Sequence, residues 1–117
     1  MSNDEDSIED MDPAELIEQG VAAKEAGEDE ISAKIYNAAG NIYMAVAEFE
    51  EALECFEKSL EIYKELDDEL GICDTMYNLG VAQINLEKWD DAMKTLQSAV
   101  KLFEKQSNED GVADTTY

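Results

Sequence analysis

The chain has 117 residues, one domain's worth, and its single proline and six glycines rule out a collagen-like or linker-like polymer. Thirty Asp and Glu stand against eight lysines, with no arginine and no histidine, for a net charge of −22. That balance excludes nucleic acid and anionic membrane as partners, because both need cationic patches. The missing histidine excludes an imidazole base, a histidine metal ligand and a Ser-His-Asp triad.

Residues 1–11 are acidic and poor in apolar side chains, which predicts a disordered tail. They are also unlike a basic and then apolar leader, and no apolar run reaches transmembrane length. The expected location is therefore cytoplasmic, with Cys55 and Cys73 reduced. Asp12-Pro13-Ala14-Glu15 reads as a helix start, with Asp12 as cap and Pro13 in the first helical position. This first helix runs to about Ala26 and stops at Gly27. Helical periodicity predicts four more segments: Asp29–Ala45, Glu48–Leu66, Glu69–Leu86 and Trp89–Lys105. The third carries Phe49, Leu53, Phe56, Leu60 and Tyr63 at spacings of four, three, four and three, and the fifth repeats that stripe. Short connections between them make neighbours antiparallel.

The chain repeats itself every forty residues. Gly40 and Gly80 correspond, as do Phe49 and Trp89, Ala52 and Ala92, Phe56 and Leu96, Leu60 and Val100, and Tyr63 and Phe103. Gly71-Ile72-Cys73-Asp74-Thr75-Met76-Tyr77 returns as Gly111-Val112-Ala113-Asp114-Thr115-Thr116-Tyr117. The expected organisation is a first helix at 12–28, repeats at 29–68 and 69–108, and the start of a truncated third repeat, with a short partial helix, at 109–117. Packing accounts for the pattern. Gly40 and Gly80 let paired helices approach, and no hairpin buries its stripe alone. The Phe49, Phe56, Tyr63, Leu96 and Phe103 stripe is expected in the core, with Met44, Met76 and Met93 as filler. Cys73 aligns with Ala33, which predicts a small buried slot, while Cys55 aligns with Thr95, which predicts an edge.

Tyr36-Asn37-Ala38-Ala39-Gly40-Asn41-Ile42-Tyr43, followed by Phe49-Glu50-Glu51-Ala52, Phe56 and Ser59, resembles a tetratricopeptide repeat. Met76-Tyr77-Asn78-Leu79-Gly80, then Trp89-Asp90-Asp91-Ala92, Leu96 and Ala99, resembles it again. The period is similar to that of a long-helix variant. Gln83 departs from the pattern where a Tyr is usual, and Met76 where an aromatic is usual. Leu16, Gly20, Ala23 and Gly27 also resemble the first helix of a shorter repeat with Ser32, Tyr36 and Ala39 as its second, a phase that collides with the forty-residue phase at Tyr36. The first helix is read as an N-terminal helix packing on the array.

The resemblance implies an all-α fold, a right-handed superhelix of antiparallel hairpins, and a concave face that holds a peptide or partner helix. Matching repeat positions places Lys34, Asn37, Asn41, Met44, Asp74, Tyr77, Val81, Ile84 and Asn85 on that face. Asp74 and the overall charge favour a basic or amphipathic protein segment over an acidic one. No enzyme, cofactor or metal site is expected: there is no calcium-loop pattern, and helix-surface Glu at this density is ordinarily a solvated face. The acidity is open to two readings, complementarity to a basic partner or a general solubilising surface. The alternative function is self-association, a homodimer formed through the C-terminal end of the array.

Overall fold

The computed structural model describes the backbone of residues 12–115 and the side chains of residues 12–107; the tail expected at 1–11 lies outside them. Among the described residues the fold is all-α, with five helices: α1 Pro13–Glu25, α2 Asp29–Ala45, α3 Phe49–Leu66, α4 Glu69–Asn85 and α5 Trp89–Thr115. Each helix packs on the next, and α2 also touches α4. Asp12 caps α1 by accepting from the Ala14 amide at 3.0 Å, and Asp68 caps α4 by accepting from the Gly71 amide at 3.1 Å.

The turns obey a shorter period than the sequence repeat. Gly27, Ala47, Asp67 and Glu87 all have positive φ, and the residue after each closes the preceding helix. The amides of Glu28, Glu48, Asp68 and Lys88 donate to the carbonyls of Ala23, Tyr43, Tyr63 and Gln83, at 2.8 to 3.1 Å. A helix with its turn is thus a twenty-residue unit, and the forty-residue repeat is two such units.

The same unit governs hairpin packing. A β-carbon built on Gly40 would lie 2.5 Å from the Phe56 ring, one on Gly80 2.5 Å from Leu96, and one on Gly20 3.2 Å from Tyr36. Ser32 Oγ donates to the Gly20 carbonyl at 2.7 Å, and Ser59 Oγ to the Ala33 carbonyl at 2.8 Å. The helix α2 therefore closes against α1 with one set of residues and against α3 with another, so both phases that meet at Tyr36 are occupied. The core sits along these seams: Leu16, Ala39 and Cys55; Ala33, Tyr36, Ile62 and Tyr63; and Ala52, Phe56, Leu79 and Ala82.

One expectation of the sequence fails here. No separate short helix follows residue 108, because α5 continues unbroken through Thr115. The corresponding turn after α3 places Asp67 in the left-handed region. Forty residues on, at Ser107, α5 stays helical.

Candidate functional site

The nine residues expected to line one groove divide between two surfaces. The first is the seam between α2 and α4. Asn78 Nδ2 donates to Asn37 Oδ1 at 3.0 Å and ties the two helices together. Lys34 and Asn41, one turn to either side of Asn37, are exposed. Lys34 Nζ lies 3.5 Å from a Glu30 carboxylate oxygen, so the only cation among the nine is already matched. On α4, Val81 is half-buried, and its carbonyl accepts from Asn85 Nδ2 at 2.9 Å. Met44 is half-buried against the Ala52, Phe56, Leu79 and Ala82 cluster. Asn78 is the residue that sequence reasoning missed. The forty-residue register pairs Asn37 with Tyr77, whereas the two helices meet one position further on.

The second surface is the outer side of the last hairpin. Asp74 and Tyr77 border a cleft with Cys73, Leu96, Ala99, Val100 and Phe103. Ile84 borders an adjoining open trough of about 810 Å³ with Trp89, Met93, Leu96 and Val100, rimmed by Lys101 and Glu104. Tyr77 (61%), Trp89 (59%), Met93 (60%), Val100 (53%) and Phe103 (60%) are all largely exposed.

The repeat explains this exposure. On α3 the counterpart of Phe103, Tyr63, is 6% exposed, because α4 lies over it. A β-carbon on Gly71 would run into the Tyr63 ring, so α4 can lie close only with glycine there. Among the described residues no helix covers α5 in this way. The core positions expected for Phe103 and Met93 are corrected on that ground. The cysteines also exchange places. Cys55 is buried beside Leu16 of α1, while Cys73 is half-buried, its thiol donating to the Ala99 carbonyl at 3.4 Å. The helix α1 covers the site of Cys55, whereas the slot of Cys73 opens on the uncovered end.

Burial pushes the Cys55 thiol up to about 11, aided by Glu54 and Glu51, and burial also raises Cys73, so both thiols stay protonated at neutral pH. The Lys105 ammonium, 3.0 Å from Glu69, holds that carboxyl below its ordinary value and fastens α5 to the start of α4. Among the described residues no group of three or more Cys, Asp or Glu is placed to hold a metal ion, and no helix is long and apolar enough to cross a membrane.

No curated protein matches the chain. The sequence model of the tetratricopeptide repeat matches residues 31–105, from the first turn of α2 well into α5. That span is more than half of the chain and contains the Gly40–Phe56 and Gly80–Leu96 contacts, and the chain therefore belongs to the tetratricopeptide repeat family.

Proposed function

We propose that the chain is a protein-binding scaffold or adaptor segment that holds a basic or amphipathic helical segment of a partner along the α2–α4 seam. Tetratricopeptide repeats are generally protein–protein interaction modules. The observation that carries the finer reading is the seam itself, where Asn37 and Asn78 brace two helices and leave Lys34 and Asn41 exposed beside them. With Lys34 matched by Glu30, the overall charge of −22 sets the sign of the approach. In this reading the module binds and does not catalyse, needs no cofactor, works in the cytoplasm, and takes neither nucleic acid nor membrane.

The test is selection from a displayed library of helical peptides, followed by fluorescence titration of those enriched. Basic peptides should be enriched, and Asn41→Lys should weaken them about tenfold by adding a like charge at the seam. Enrichment of acidic peptides, or indifference to Asn41→Lys, would sink the reading. A second reading, self-association through the outer surface of α4 and α5, is favoured by a separate observation, the exposure of Trp89, Met93, Val100 and Phe103.

A further inference from the structure

We infer that α5 has two forms, the unbroken helix described above and one that turns at Ser107–Asn108 and lays residues 109–117 back over Phe103, so that the chain supplies its own cover for part of the open apolar end. The segment repeats the one that covers α3. Asn108 stands where Asp68 caps α4, and Glu109 where Glu69 opens it. Gly111 stands where Gly71 lets α4 approach the Tyr63 ring, and Val112 where Ile72 packs against the cluster of Ala33 and Tyr63. The receiving surface recurs as well. Phe103 is the counterpart of Tyr63 and Cys73 of Ala33, and both border the cleft between α4 and α5. The two sides of one closed seam thus return forty residues on, with the seam open.

The charges around residue 107 suit the turned form. The unbroken helix carries Asp114 in its last turn and no lysine after Lys105, an acidic end that the helix dipole opposes. It also holds Gly111 in its interior, where only proline is less favourable. A turn at Ser107–Asn108 reverses these terms. Lys105 then lies in the last turn of α5, where a cation is favoured. Asn108 takes a capping position that suits it, and Glu109 and Asp110 enter a first turn that favours anions. Against this stands the loss of the helical hydrogen bonds that now run through Ser107. A helix this short does not hold by itself, so the contact with Phe103 is what secures it.

The cover is partial. Nine residues make about 14 Å of helix, whereas Met93 lies about 21 Å of helix back from the turn. The trough beside Trp89 and Met93 therefore stays open in both forms.

Double electron–electron resonance on the full chain tests this, with spin labels at Asp90→Cys and Thr116→Cys in a Cys73→Ala background; Cys55 is buried and unreactive. The unbroken helix sets the labelled backbones about 39 Å apart, and the turned form about 20 Å. Both distances should appear. Ser107→Gly, which enters the left-handed turn without steric cost, should raise the shorter population about threefold or more. Phe103→Ala, at an exposed position, should leave the unbroken helix intact and remove the shorter distance. A single distance near the longer value in both the labelled parent and Ser107→Gly overturns the inference. A shorter distance that persists in Phe103→Ala overturns the assignment to this face. One that disappears on dilution with excess unlabelled chain comes from a second copy, and also overturns it.

Discussion

Gly40 and Gly80 occupy the same place in the repeat, yet their neighbours differ in how far they can yield. A methyl on Gly40 would meet three carbons of the Phe56 ring at 2.5 to 2.9 Å, and that ring is fully buried. A methyl on Gly80 would meet Leu96, a flexible side chain on the open surface. Gly40→Ala should therefore lower stability by about 1–3 kcal/mol, the usual cost of overpacking, and Gly80→Ala by clearly less. Urea unfolding of the two variants checks the order, which fails if Gly80→Ala is the costlier. Cys55 gives a pH-dependent prediction. Its folded value of about 11 lies above the ordinary 9.0, so the unfolded chain loses the proton first as pH rises. Its contribution is intact below pH 9 and is lost between pH 9 and 11, a fall of roughly 2–3 kcal/mol by linkage. Cys55→Ala should flatten that part of the stability profile, and an unchanged slope would contradict the burial assigned to this thiol. The burial was not legible in the sequence. Matching Cys55 to Thr95 ignores that α1 covers only the first of the two sites.

At the scale of the element, five helices were legible because the apolar stripes, Pro13 and Gly27 mark them plainly, and the observed boundaries lie close to the expected ones except at the end of α5. The twenty-residue unit was harder to see. Its four turns use Gly27, Ala47, Asp67 and Glu87 in one conformation, so backbone geometry is conserved along the chain where residue type is not. A periodicity carried by φ angles leaves little trace in composition. The same fact makes Ala47 a strained position, with φ of 63° on a residue bearing a β-carbon. Ala47→Gly should raise stability by about 0.5–1 kcal/mol, the relief of the left-handed strain less the added freedom of the unfolded chain. Thermal or urea unfolding measures it, and a loss of stability would mean that this turn is not held as described. The candidate surface was half legible for a related reason. The repeat register placed Lys34, Asn37 and Asn41 near α4, but the Asn37–Asn78 bond depends on how α4 rotates against α2. That rotation is set by packing around Leu79 and Phe56, which no forty-residue match encodes.

Over the whole molecule, the carboxylates are spread and not gathered at the seam. Glu50, Glu51, Glu54, Glu57, Glu61 and Glu65 all stand exposed on α3, against Glu30 beside Lys34 at the seam. A charge of −22 dispersed in this way opposes compaction through self-repulsion. Unfolding free energy should rise by about 1 kcal/mol or more between 10 and 150 mM NaCl as that repulsion is screened, and a fall would mean that ion pairs such as Lys24–Asp29 outweigh it. The basic partner proposed for the seam would feel the same field from further off. The most direct measurement of that proposal is amide NMR of the labelled chain titrated with a library-selected basic helical peptide at two salt concentrations. Shifts should concentrate on Lys34, Asn37, Asn41, Asn78 and Val81, and affinity should drop at the higher salt. Shifts confined to the exposed face of α3, or an affinity indifferent to salt, would contradict it.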